Sequence, residues 1–276
     1  MNELALDFQF SQHNLQDYVD CARRFELRYL LKLDWPALQT EPVREFERRQ
    51  DLGRRFHEMV HQATLGIPME QIVAQESDPE LVEWWDTYAN SALIRDLPAL
   101  RKPEFNLSAP FANVRLVAKY DLLAIEPGNL ITIVDWKTSP KPTPHSYLAA
   151  RLQTRVYPFL VVEAGRVIFG GAPVLPEQVV MIYWFTSAPD QAVQFHYSLK
   201  QYQTDREVLA GWIREIIARR SGQFSLTSEE KKCQFCVYRS LCNRGVKAGA
   251  LDDAAFDDDP DLKPEIPFDQ IGEVEF

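Results

Sequence analysis

The chain has 276 residues, of which 46% are apolar and 25% charged, and its formal net charge is −10. A chain of this length can bury a full hydrophobic core without disulfides. The ordinary content of 18 Pro and 11 Gly excludes collagen-like and low-complexity proteins. No apolar run reaches the roughly 18 residues that a membrane helix needs, and the amino terminus does not resemble a secretion signal. We therefore expect a cytoplasmic protein.

The negative charge is concentrated at the carboxyl terminus. Residues 251–276 contain ten acidic residues and one basic residue, which leaves 30 acidic and 29 basic residues in the preceding 250. We therefore predict a single domain over residues 1–250, whose near-neutral body can bind a polyanion through local patches, and an acidic, flexible tail. Four roles stay open for the tail: it mimics DNA, it covers a nucleic-acid groove, it binds a partner, or it is a solvated end.

The first hundred residues are predicted to be mostly helical. Apolar and aromatic residues recur every three or four positions between Leu15 and Leu33, with Cys21 inside this helix or at a break in it. Similar patterns predict helices over residues 43–64 and 78–95.

The pattern then changes to strands. Val114, Leu116, Ala118, Tyr120 and Leu122 alternate with their neighbours, which predicts a strand with these five residues on one face. A turn at 126–129 and an apolar run at 130–135 complete a hairpin. Further strands are predicted at 104–111, 179–186 and 192–199, and helices at 146–163, interrupted or kinked near Pro158, and at 202–220. The fold class is thus α/β, a mixed central sheet flanked by helices, with a helical N-terminal region.

Charged residues on this hairpin suggest a metal site. Asp121 and Asp135 lie on opposite arms, and carboxylates that converge at one end of a sheet suit Mg²⁺ or Mn²⁺. Lys137 follows Asp135 by two positions and therefore emerges on the same face. An ammonium group there could activate a water molecule or neutralise charge on a phosphate, which points to phosphodiester cleavage. Glu104 could supply another acid, but we expect it to be solvated.

The cysteines have an uneven spacing. Cys21 stands alone, whereas Cys233, Cys236 and Cys242 form a C-x2-C-x5-C group. Four thiolates can hold an iron-sulfur cluster or zinc, and unbound thiols are the third alternative. Residues 212–250 contain eight basic residues against three acidic ones, with Phe235 and Tyr238 as possible surfaces for base stacking. The alternative is that these basic residues are merely solvated.

Together these motifs resemble the PD-(D/E)XK nucleases, and among them the RecB-like exonucleases with an iron-sulfur cluster, including the CRISPR-associated ones. The matching motifs are Gly53-x3-His57, Asp121 in Ala-Lys-Tyr-Asp, Asp135-Trp136-Lys137 and Gln153-x3-Tyr157. Ala118 departs from the glycine expected three residues before the first acid.

The resemblance implies a restriction-endonuclease-like core and a set of site residues. His57, Asp121, Asp135 and the Trp136 carbonyl would bind Mg²⁺ or Mn²⁺, and Lys137 would orient or activate water. Because imidazole is a softer donor than oxygen, His57 favours Mn²⁺. Gln153 and Tyr157 would position the DNA backbone or support the site; the alternative is a helix face with Tyr157 packed on the sheet.

The resemblance also implies a second cofactor and a class of substrate. Cys21, Cys233, Cys236 and Cys242 would hold a 4Fe-4S cluster and close a C-terminal iron-sulfur subdomain. The activity would be metal-dependent exonucleolytic cleavage of DNA, on single strands or frayed ends, in repair, recombination or CRISPR-type processing. Candidate partners are recombination or CRISPR integration proteins.

Two other functions compete with this one. Residues 57–61 spell H-E-x-x-H, which on a helix is the zinc-peptidase pattern with Glu58 as general base. The peptidase interpretation leaves Asp121, Asp135, Lys137 and the cysteines unexplained. The second alternative is a DNA-binding protein that recruits partners and has lost catalysis.

Overall fold

Six strands form one mixed sheet in the computed structural model, which describes residues 4–5, 7–33, 41–234 and 236–245, and of residues 41–47 only the backbone. The acidic tail, Phe235 and Lys247 lie outside the described residues. The strands are β1 (Gln9–Phe10), β2 (Leu100–Phe111), β3 (Val114–Glu126), β4 (Leu130–Lys137), β5 (Val179–Phe185) and β6 (Val193–His196).

The strand order follows from the pairing of β3. One edge of β3 pairs antiparallel with β2 along nearly its full length. The other edge of β3 pairs antiparallel with β4 near the hairpin turn, and in parallel with β1 at Arg115–Leu116. Strand β4 then pairs in parallel with β5, which pairs antiparallel with β6. The predicted mixed sheet flanked by helices is confirmed. Strand β1 was not predicted, because two residues are too short for a periodic signal.

The helices of the described residues cover both faces of this sheet, and none is long and apolar enough to cross a bilayer. They are α1 (Gln12–Asp20), α2 (Ala22–Phe25), α3 (Glu41–Thr64), α4 (Met69–Val73), α5 (Pro79–Asn90), α6 (Ala92–Arg95), α7 (His145–Ala150), α8 (Gln153–Ala164) and α9 (Leu199–Ala218). The predicted helices at 43–64 and 78–95 correspond to α3 and to α5 with α6. A π-helical turn, Glu26–Leu30, continues α2.

Two hydrophobic cores lie on opposite faces of the sheet. The larger core contains buried residues of α1, α8 and α9, and the smaller core packs α3 and α5 against Trp136 and Trp184. Strands β4 and β5 are buried on both faces, which explains their continuous apolar sequences. This layering brings α3 against one face and α8 against the other at the end of β4.

The structure decides the position of two predicted helix breaks, one of which needs correction. Cys21 does lie at a helix break, since its extended backbone separates α1 from α2. The second break was predicted near Pro158, but Pro158 lies inside α8 and the chain breaks at Arg151 instead. There Gln16 of α1 accepts a hydrogen bond from the Leu152 N–H at 2.9 Å, so a tertiary contact fixes the start of α8.

Candidate active site

The two hairpin aspartates occupy opposite backbone positions at the open end of the β3–β4 ladder. The last paired residues are Leu122 and Val134, and the same register places Asp121 opposite Asp135. Beyond this point a side chain replaces the backbone as hydrogen-bond acceptor: Asp121 Oδ2 accepts a hydrogen bond from the Trp136 N–H at 2.9 Å. The register thus makes the two acids neighbours along the backbone, but the Asp135 carboxylate is not in the group of ligand atoms that His57 and Asp121 form.

Strand β3 changes the faces of its side chains at Asp121. Ala118 and Tyr120 contribute to the larger core, as do Leu123 and Ile125, whereas Leu122 faces the smaller core. The strict alternation predicted through Leu122 is wrong for this reason. The irregularity puts Leu122 on the same face as Asp121, which contacts His57 of α3.

Helix α3 supplies His57 to this carboxylate. The imidazole Nδ1 lies 3.4 Å from Asp121 Oδ1, and Nε2 is buried without a hydrogen-bond partner among the described residues. Burial by itself lowers the pKa of His57, but the carboxylates of Asp121, Asp135 and Glu104 outweigh burial and raise it to about 9. Without a metal ion the imidazole is therefore cationic at neutral pH.

A buried polar triad lies at the end of β4, next to α8. Lys137 Nζ is 2.8 Å from Asp135 Oδ2 and donates to Gln153 Oε1 at 3.3 Å, and the Gln153 amide donates to Asp135 Oδ1 at 2.5 Å. All three residues are less than 10% exposed. Burial of a charged pair is costly unless its geometry is completed by further hydrogen bonds, which Gln153 provides.

Tyr157 lies one helical turn further along α8 and is 2% exposed. Its hydroxyl accepts a hydrogen bond from Gln12 Nε2 at 3.0 Å, and its ring packs against Tyr120 with centroids 4.7 Å apart. Its carbonyl accepts from the Tyr120 hydroxyl at 2.9 Å. These contacts join α1, α8 and β3 behind the aspartates, so they favour support of the site over direct contact with DNA.

Glu104 completes the acidic group, contrary to the expectation that it is solvated. Ligand atoms of His57, Glu104 and Asp121 all lie within 4.8 Å of one another. Within the described residues this is the sole group of three or more His, Cys, Asp or Glu side chains with such spacing. A buried imidazole nitrogen beside converging carboxylates is a donor set that fits a divalent cation.

The zinc-peptidase interpretation has no comparable support. The ligand group includes His57 but not His61, the second histidine of the pattern. The Glu58 side chain is 60% exposed and lies 3.8 Å from Arg54, so it faces solvent.

The four cysteines line one pocket. Cys21 reaches it from the α1–α2 break, and Cys233, Cys236 and Cys242 reach it from the turns after α9. Burial raises the pKa of the thiols of the latter three. No three of the four sulfurs lie within 4.8 Å of one another, however, so the described residues show no compact thiolate group.

The basic segment around these cysteines is partly neutralised. Arg219 pairs with Glu215, Arg244 pairs with Glu230, and Lys232 lies 3.0 Å from Glu229 and 3.3 Å from Asp20. These ion pairs consume charge that was predicted to be available for DNA.

A family model of the PD-(D/E)XK nuclease superfamily matches residues 9–243. Among solved structures, the chain is similar to a "Putative exonuclease" from Eubacterium rectale, with 12% identity and a TM-score of 0.52 over 89% of this chain and 91% of that one. It also matches the crystal structure of SSO0001, with 12% identity over 87% of each chain, but that TM-score is only 0.35. No curated protein matches the sequence.

Proposed function

The chain belongs to the PD-(D/E)XK nuclease superfamily, and from this premise we propose that it is a metal-dependent deoxyribonuclease that cleaves single strands or frayed ends from a terminus. One observation carries the proposal. The register of the β3–β4 hairpin brings Asp121 and Asp135 together, with Lys137 beside one and His57 beside the other. This arrangement at the end of the hairpin supports one shared site for both acids and the lysine of the D-x-K pattern.

Each residue of this site has a proposed role. A divalent ion held by His57, Asp121, Asp135 and the Trp136 carbonyl would polarise the scissile phosphate and favour ionisation of the attacking water. The Lys137 ammonium group would orient that water and offset negative charge that develops on the phosphate.

Helix α8 would keep this lysine in place. Gln153 fixes the relative positions of the Lys137 ammonium group and the Asp135 carboxylate, since it accepts a hydrogen bond from Lys137 and donates one to Asp135. Preorganisation of this kind removes the cost of reordering charged groups during the reaction. Tyr157 would act one step further back, by fixing α8 against β3.

The finer assignment is to the RecB-like branch, acting in DNA repair, recombination or CRISPR-type processing. The motif order along the chain supports it, as does the shared fold with a protein described as an exonuclease. Recombination or CRISPR integration proteins are the proposed partners.

We further propose a 4Fe-4S cluster on Cys21, Cys233, Cys236 and Cys242. Support comes from the one pocket that all four line, although they are separated by up to 221 positions. Zinc with Zn–S bonds of about 2.3 Å would hold its sulfurs roughly 3.8 Å apart, whereas no three of these four sulfurs lie within 4.8 Å of one another. A cluster with a different iron atom for each thiolate accommodates wider spacing.

The decisive experiment compares binding and cleavage of end-labelled single-stranded and duplex oligonucleotides, with Mg²⁺, Mn²⁺ or EDTA. We expect metal-dependent release of short products, lost in Asp121→Asn and unchanged in Asp86→Asn, which neutralises an exposed acid on α5. DNA binding without cleavage in any metal would favour the inactive, partner-recruiting alternative. Equal cleavage by wild type and Asp121→Asn would refute the proposed site.

A further inference from the structure

Glu104 occupies an unusual position in strand β2. Its neighbours Pro103 and Phe105 pair with Leu122 and Tyr120, so the register places Glu104 opposite Asp121, where the ladder is interrupted. Its φ of +49° lies in the left-handed region that non-glycine residues rarely adopt in a strand. This conformation coincides with the change of faces in β3, and such strain persists where surrounding structure imposes it, often at functional sites.

The Glu104 carboxylate has a lysine as its direct partner. Lys119, two residues before Asp121 on β3, forms an ion pair with it. The lysine side chain is 38% exposed and that of the glutamate 22%. The same carboxylate reaches within 4.8 Å of ligand atoms of His57 and Asp121, so it belongs both to the ion pair and to the acidic group.

Each acid of the site contacts a basic side chain: Glu104 lies beside Lys119, Asp121 beside His57, and Asp135 beside Lys137. A divalent ion that binds Glu104 or Asp135 competes with the lysine that already contacts that carboxylate. Lys137 is buried, with 10% of its side chain exposed, whereas Lys119 lies at the edge and can return to water at small cost.

We propose that Glu104 is a further ligand of the divalent ion and that Lys119 is its counter-ion in the metal-free protein, displaced when the ion binds. The inference rests on the metal site of the proposed function and extends it to strand β2. An exposed ion pair is worth little, so the metal can replace it, yet the lysine holds the carboxylate in place until then.

Measurement of Mn²⁺ binding tests both the ligand role of Glu104 and the displacement of Lys119. Binding is measured as the decrease of the EPR signal of free Mn²⁺ when protein is added. We expect Glu104→Gln to weaken binding at least about tenfold, and Lys119→Met to strengthen it several-fold. In the Glu104→Gln background, Lys119→Met should change nothing. Lys200→Met is the matched control for loss of a positive charge. The residue before it, Leu199, donates a backbone hydrogen bond to Glu177, which precedes the first residue of β5. Lys200 therefore lies near the end of the sheet opposite to the metal site.

Distinct results overturn each part. Glu104→Gln with wild-type affinity, or a wild type that does not bind Mn²⁺, ends the ligand role. The effect of Lys119→Met on Mn²⁺ affinity must depend on Glu104 and exceed that of Lys200→Met. If it does not, the lysine acts only through its long-range charge, and the proposed displacement of Lys119 by the metal is refuted. If Glu104→Gln fails to fold by circular dichroism, the double variant, which leaves neither charge unpaired, is compared with Lys119→Met instead.

DNA cleavage is scored separately from these titrations. Mn²⁺ binding that depends on Glu104 in a protein that cleaves no DNA would remove the proposed function and keep the inference. Metal-dependent DNA cleavage by a protein whose Mn²⁺ affinity does not depend on Glu104 would keep the proposed function and remove the inference.

Discussion

Gly53 of α3 lies so close to Thr138, the residue after Lys137, that a Cβ atom on the glycine would be 2.9 Å from the threonine Oγ1. Real Cβ atoms essentially never make contacts that short, so a side chain at this position requires either the Thr138 hydroxyl or α3 to shift. His57 lies one turn further along the same helix. The close approach of Gly53 thus keeps this part of α3, which carries His57, next to the end of β4.

Gly53→Ala is therefore expected to weaken Mn²⁺ binding and to lower the free energy of unfolding by about 1 to 3 kcal/mol. Thr138→Ala should restore both, because the threonine Cβ is 3.9 Å away and only the hydroxyl clashes. Gly211→Ala on α9, which would meet no atom within 4 Å, should instead stabilise by about 0.5 to 1 kcal/mol. Urea unfolding and Mn²⁺ titration check these values, and an undisturbed Gly53→Ala protein would contradict the packing argument.

The sequence predicted the relative positions of Asp121, Asp135 and Lys137 on the hairpin because the signals for them are local. The spacing across the hairpin places Asp121 opposite Asp135, and the two-residue step to Lys137 follows from strand geometry. Glu104 escaped prediction because its approach depends on a left-handed backbone and on the change of faces in β3, neither of which has a periodic signature. The break before α8 escaped prediction for a similar reason, since it depends on Gln16 in a distant helix.

Gln153→Leu tests the buried triad. The change leaves the Asp135–Lys137 pair without its connecting amide, so we expect cleavage to fall by about 10- to 100-fold through kcat, with little change in KM for DNA. Gln75→Leu, at an exposed position after α4, is the matched control. Single-turnover cleavage would show the loss, and a defect confined to KM would instead indicate that Gln153 contacts DNA.

His57 and His61 separate the nuclease from the peptidase. We expect His57→Ala to lose Mn²⁺ affinity and DNA cleavage, and His61→Ala to keep both, because the acidic group contains only His57. Cleavage of oligonucleotides and of casein is measured for both variants. Protease activity that disappears in both would establish the H-E-x-x-H alternative.

The charge on His57 predicts a pH dependence for the metal-free protein. The pKa of His57 in the folded chain is about 9, against 6.5 ordinarily. The cationic imidazole therefore makes its full contribution to the stability of the fold below pH 6.5, and this contribution is lost as the pH rises to 9. Relative to His57→Gln, the EDTA-treated wild type should lose roughly 1 to 3 kcal/mol of unfolding free energy over that interval. Urea titrations at four pH values check it; parallel curves for the two proteins would contradict the assigned pKa.

Cys21→Ser tests whether the pocket of four cysteines holds a cluster. Anaerobically purified wild type should be brown, with broad visible absorbance and about four iron atoms and four sulfides per chain. Because Cys21 lines this pocket from the opposite end of the chain and would supply one of the proposed ligands, its loss should remove the colour and lower the free energy of unfolding. Ser240→Ala, a partly buried position between Cys236 and Cys242, controls for local disturbance. A colourless wild type with one zinc per chain, or with neither metal, would exclude the cluster, whereas Mn²⁺ binding at Asp121 would be unaffected.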